Sequence, residues 1–99
     1  MASEEYRASG IKVYMSSITT SRDIRTNQQR MIGVLEAKKV PFEKVDIAKD
    51  HIGRALLKRL CKNSNTQPPV ITKGEQYLGD FETFMNAVDD EVLETFLGL

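Results

Sequence analysis

A chain of 99 residues, 40% hydrophobic and 28% charged, suffices for one domain with a modest core, and that balance excludes disordered and fibrous classes. Its 14 basic and 14 acidic side chains cancel, which speaks against a general nucleic-acid binder. No apolar run approaches the roughly 20 residues of a membrane span, nothing ahead of the first strand has signal-peptide character, and the lone cysteine cannot close an internal disulfide, so a cytoplasmic location is expected.

Residues 1–10 are polar and aperiodic, a flexible leader before a domain over residues 11–99. Ile11-Lys12-Val13-Tyr14-Met15 alternates and is rich in β-branched and aromatic residues, which predicts a central first strand parallel to the next. A hydroxyl-rich loop follows over residues 16–21. Ser21 and Thr26 compete as N-caps of the first helix, Thr26 completing a capping box with Gln29, and Ile24, Met31, Ile32 and Leu35 form its inner stripe as far as Lys38-Lys39. Pro41 stops that helix. Residues 42–47 read as an edge strand, so strand, helix and strand make a right-handed crossover unit. Asp50 caps a second helix over residues 52–61, with Ile52, Ala55, Leu56 and Leu60 inward and the basic residues outward, and Asn63-Ser64-Asn65 ends it.

Turn chemistry and strand pattern agree best over residues 66–81. Pro68-Pro69 offers no N–H and cannot lie within a central ladder, so it delivers the chain into a strand beginning at Val70-Ile71. Lys73-Gly74 turns the chain, and residues 76–78 run back as the second arm of an antiparallel hairpin. Asp80 then caps a helix striped by Phe81, Phe84, Met85 and Val88, and after a break near Asp89-Asp90 the residues Val92, Leu93, Phe96 and Leu97 form a last short helix. The order β-α-β-α-β-β-α, a four-stranded mixed sheet flanked by helices, is an α/β arrangement of the thioredoxin and glutaredoxin kind. Charge is distributed unevenly: Lys49, Arg54, Lys58, Arg59 and Lys62 face the single acid Asp50 around the second helix, whereas every charge from Asp80 onward is acidic. That pattern reads as two solvated faces of opposite sign.

A thiol oxidoreductase of this fold carries a Cys-x-x-Cys pair between its first strand and first helix, where the helix N-terminus lowers the thiol pKa. Residues 16–29 contain no cysteine, and no hydroxyl there can replace a thiolate in disulfide exchange. Cys61, near the end of the second helix, reads as an inert thiol. His51 stands alone and suggests neither metal ligand nor base, so no metal and no cofactor is expected.

Several stretches together resemble the SH3-domain-binding glutamic-acid-rich-like proteins. They are Val13-Tyr14 with its Ser/Thr-rich loop, Gln28-Gln29, Phe42-Glu43-Lys44-Val45-Asp46-Ile47, Pro68-Pro69-Val70-Ile71, Gln76-Tyr77-Leu78-Gly79-Asp80-Phe81 and Phe96-Leu97-Gly98-Leu99. The resemblance implies a small glutaredoxin-like protein without the redox pair, acting as a binding module or as a modulator of redox and signalling pathways. It also implies that Pro69 is the cis residue of a cis-proline loop. Thr66 stands where the family's proline-rich motif has its first proline, so no Pro-x-x-Pro remains.

Glutaredoxins hold glutathione with the cis-proline loop and the start of the following helix. The matching positions are Pro69 and Val70, and Gly79, Asp80 and Phe81. Asp80 replaces a glycine with a negative side chain, so glutathione binding is expected to be weak or absent. The expected function is a non-catalytic protein-interaction module, its groove formed around Thr19, Thr20, Pro68, Pro69, Val70, Gly79, Asp80 and Phe81, with an unidentified protein as partner. The alternatives are a monothiol glutathione-dependent oxidoreductase using Cys61, and a ligand of SH3-type domains through the proline loop.

Overall fold

The computed structural model describes residues 10–61 and 67–99. Residues 1–9 of the leader, Lys62, the helix-ending Asn63-Ser64-Asn65 and Thr66 lie outside the described residues. The elements are β1 (Ile11–Met15), α1 (Arg22–Ala37), β2 (Glu43–Asp46), α2 (His51–Leu60), β3 (Val70–Lys73), β4 (Gln76–Asp80), α3 (Phe81–Asp89) and α4 (Leu93–Leu97). The sheet order is β2-β1-β3-β4, with β1 parallel to β2 and antiparallel to β3, and β4 antiparallel to β3. β2 therefore lies at an edge and β1 inside.

Alternation along the strands divides the core in two. Ile11, Val13 and Ile71 point to the face covered by α1, α3 and α4, where they meet Met31, Leu35, Phe84, Leu93 and Leu97. Tyr14, Val45 and Val70 point to the opposite face and pack against Leu57 and Cys61 of the α2 segment. Phe84 and Phe96 meet edge to face, ring centroids 6.4 Å apart, which joins α3 to α4. The Nζ of Lys73 donates to the carbonyl of Gly98, fixing the end of α4 to the hairpin.

Ser21 is the cap of α1, its Oγ accepting from the N–H of Ile24 at 3.2 Å, so the first of the two competing caps is used and the Thr26 alternative is not. The helix ends at Ala37, and Lys39 takes a positive φ. Asp50 caps α2 as expected, but the inner face of that helix differs from the sequence reading. Ile52 is 84% exposed and Ala55 is exposed, while Gly53 and Leu57 are buried and Leu56 and Leu60 flank them. A Cβ on Gly53 would stand 2.5 Å from Cγ1 of Val45, so the glycine marks where helix and strand approach most closely. β4 runs two residues beyond the expected arm, to Asp80, with an irregular register that leaves Leu78 extra between the pairs Thr72–Tyr77 and Ile71–Gly79.

Candidate functional site

Strand direction collects the candidate residues at one end of the sheet. Met15 lies opposite Asp46 at the ends of β1 and β2, Tyr14 lies opposite Val70 at the start of β3, and Val70 lies opposite Asp80 at the end of β4. The loop over residues 16–21, the turn over residues 47–50, Pro68-Pro69 and the start of α3 therefore share that end. The Pro68–Pro69 peptide bond is cis. The helices α1, α2 and α3 also begin here, capped by Ser21, Asp50 and Asp80, so the positive ends of three helix dipoles converge.

The loop after β1 is held by side chains rather than by further sheet pairing. The buried carboxamide of Gln28 accepts from the N–H of Ser16 at 2.7 Å and donates to the carbonyl of Ser16 at 3.1 Å, closing a two-point clamp from α1. Asp46 Oδ1 accepts from the N–H of Ser17 at 3.0 Å and of Ala48 at 3.1 Å. Hydrogen bonding from the Ser17 side chain, and then from these two N–H groups, holds the Asp46 carboxyl below its ordinary value of 3.8.

A groove of about 460 Å³ opens beside this loop. Ser16, Ile18 and Thr19 form one wall, with Ile24 of α1 behind them. Ile47, Ala48 and Arg54 form the facing wall, and Pro68 completes the lining. Ile18 is 74% exposed. The guanidinium of Arg25 donates to the carbonyl of Thr19 at 3.4 Å, and Thr19 Oγ1 accepts from the N–H of Ser21 at 3.2 Å.

Of the residues expected at the groove, Thr19 and Pro68 line it, and Thr20 is exposed in the same loop. Pro69 and Val70 are fully buried beneath it. Gly79 is buried against Thr83 and Phe96, where a Cβ would come within 2.9 Å of Thr83. Asp80 accepts from the N–H of Thr83 at 2.9 Å, and Phe81 packs on the larger core. Ile24, Ile47, Ala48, Arg54 and the Gln28 clamp escaped the sequence reading of the site, and Ile18 lies within the loop over residues 16–21 that the reading placed there. The signal for Gln28 was present, because residues 28, 31 and 35 share one helix face and a glutamine among core positions needs partners.

Cys61 caps the C-terminus of α2, 9% exposed among Tyr14, Val45, Leu57 and Val70, and does not line the groove. Burial pushes the phenols of Tyr14 and Tyr77 above their ordinary value of 10.0. Among the described residues no three His, Cys, Asp or Glu side chains come together as a metal site, and no helix is long and apolar enough to cross a membrane.

Solved structures share this architecture. Actin interacting protein Aip5 of C. albicans matches with a TM-score of 0.74 at 20% identity, over 88% of this chain and 86% of that one. The holo form of glutaredoxin C1 from Populus tremula x tremuloides matches with a TM-score of 0.66 at 15% identity, over 98% of this chain and 91% of that one. A buckwheat glutaredoxin–glutathione complex matches with a TM-score of 0.66 at 12% identity, over 98% and 86%. These likenesses establish the glutaredoxin-like, thioredoxin-type fold that the element order implied. The sequence profile of one family covers residues 9–99, and the chain belongs to that family, the SH3-binding, glutamic acid-rich proteins.

Proposed function

We propose that this chain is a cytoplasmic, non-catalytic protein-interaction module that receives a segment of a partner protein in the groove between the loop after β1, the turn after β2 and Pro68. The observation that carries the proposal is an exposed, thiol-free loop at the place of a nucleophile. Where a thiol enzyme of this fold places its attacking cysteine, this chain presents Ser16, Ser17, Ile18 and Thr19, and Ile18 is 74% exposed. The one thiol is enclosed in the smaller core instead. A buried thiol without an electropositive, accessible setting is a poor nucleophile. The similar Aip5 bears the name of an actin interacting protein, and a protein partner of that general kind agrees with the reading.

Pro69 is fully buried, so the pair offers only Pro68 to a partner, which does not suit a polyproline II ligand. Glutathione is a weak ligand or none on this reading, because Asp80 brings a carboxylate to the helix start.

The test has two arms. Glutathione-dependent reduction of a small mixed disulfide should run no faster with the protein than without it, and Cys61→Ser should change nothing. Turnover that Cys61→Ser abolishes would overturn the non-catalytic reading. In the second arm, partners captured by the wild-type chain should be lost with Ile18→Asp and kept with Ile52→Asp, a still more exposed aliphatic outside the groove lining. Equal loss from both variants would remove the groove from the account.

A further inference from the structure

The groove pairs aliphatic surface with a guanidinium that has no ion-pair partner among the described residues. Ile18 stands out from one wall, and Ile24 and Ile47 are half-buried beside it, so a bound segment would cover apolar side chains. Arg54 brings a guanidinium to the facing wall. Arg25 lies over the Thr19 carbonyl across from it, and Arg22, Lys49 and Lys58 are exposed on or next to the same two helices.

Three acids at this end of the sheet are held by backbone N–H groups and keep their negative charge. Asp46 accepts from Ser17 and Ala48, Asp50 from the N–H of Gly53 at 2.8 Å, and Asp80 from Thr83. Two further acids, Asp23 in the first turn of α1 and Glu82 in the first turn of α3, stand at this end among the described residues. Among the described residues no carboxylate forms an ion pair with Arg54. Guanidinium groups take carboxylates in bidentate geometry, and a partly apolar surrounding strengthens that attraction.

We infer that the groove selects an acidic segment of a partner protein that also carries aliphatic side chains. The carboxylates meet Arg54 and Arg25, and the aliphatic residues cover Ile18, Ile24 and Ile47. This inference rests on the interaction reading and adds the chemistry of the partner.

The test is a selection of short randomised peptides on the immobilised full chain, followed by fluorescence anisotropy of the selected peptides. The selected pool should be rich in Asp and Glu together with Leu, Ile and Val. Arg54→Glu should weaken its binding by about tenfold, and high salt should weaken the wild type more than that variant. Ile18→Asp should also abolish binding. Arg54 and Ile18 are both exposed, so unchanged melting of the variants serves as the folding control.

A neutral or basic pool that depends on Ile18 and not on Arg54 overturns the charge assignment and leaves the groove as a docking site. A pool indifferent to both substitutions overturns this inference and the interaction reading of the groove together. Absence of any enrichment overturns the inference alone, since partner capture decides the reading beneath it. A concentration-dependent dimer dissolved by Arg54→Glu would put the acidic α3–α4 region of a second copy in the groove and overturn the assignment to a separate partner.

Discussion

Gly33 and Gly53 both sit inside helices, yet replacement by alanine should act in opposite directions. At Gly33 a Cβ would meet nothing within 4 Å, so Gly33→Ala should raise stability by about 0.5–1 kcal/mol through helix propensity and a less flexible unfolded chain. At Gly53 the same atom would strike Val45 at 2.5 Å and crowd the Asp50 cap at 3.0 Å, so Gly53→Ala should cost about 1–3 kcal/mol despite the propensity gain. Urea denaturation of the two variants reads both signs. Asp46 contributes stability that is present above its unfolded value of 3.8 and lost as pH falls through its lower folded value. Asp46→Ala should therefore lower stability at neutral pH and flatten the decline on acidification below pH 3.8. The Tyr14 and Tyr77 phenols should titrate above 10.0 in ultraviolet absorbance, and the stability their raised values confer is present below that pH and lost as pH climbs through the folded values.

Among the elements, the strands, the order of helices and the caps at Asp50 and Asp80 were legible because each has a local cause: alternation, periodicity, or an acid ahead of an apolar stripe. The phase of α2 was not. A stripe drawn through large residues favours Ile52 and Leu56, but the closest approach to the sheet is made by the residue without a side chain, Gly53, which rotates the buried face by one position. The irregular register at Leu78 was hidden for a different reason, since nothing in the composition of Gln76-Tyr77-Leu78-Gly79 marks a shift set by the pairing of Ile71 with Gly79. The groove was legible at its loop and at Pro68. Its second wall was not, because Ile47, Ala48 and Arg54 reach it only through the parallel pairing of β1 with β2. The Gln28 clamp ties α1 to the end of β1, and Gln28→Ala should cost about 1–3 kcal/mol by leaving both backbone groups of Ser16 without that partner. Gln28→Glu keeps the acceptor and loses the donor at neutral pH, so its stability should recover partly on acidification, when the carboxyl regains a proton to donate.

At the scale of the whole molecule, charge segregated along the chain becomes charge segregated through the sheet. The basic α2 covers one face, and the other is shared by α3 and α4, where Asp89, Asp90, Glu91 and Glu94 are exposed, and by α1 with its exposed Arg22, Arg25 and Arg30. The molecule measures 32 × 28 × 22 Å, several times the screening length of about 8 Å at physiological salt, so the basic α2 and the acidic α3–α4 region act on their surroundings separately. A titration with reduced glutathione, followed by amide resonances, should leave Val70, Asp80 and Phe81 unmoved up to about millimolar ligand, the range in which a dissociation constant corresponds to about −4 kcal/mol. Saturable shifts at all three would reopen a redox-linked role. The brace at Ser16 bears on regulation as well. A carboxamide has no physiological titration and no redox couple, so the Gln28 brace itself responds to neither acid nor oxidant, and the Asp46 carboxylate that holds Ser17 beside it titrates below 3.8. On the proposed reading, a complex at this groove would then be controlled from the partner's side rather than through the Gln28 brace.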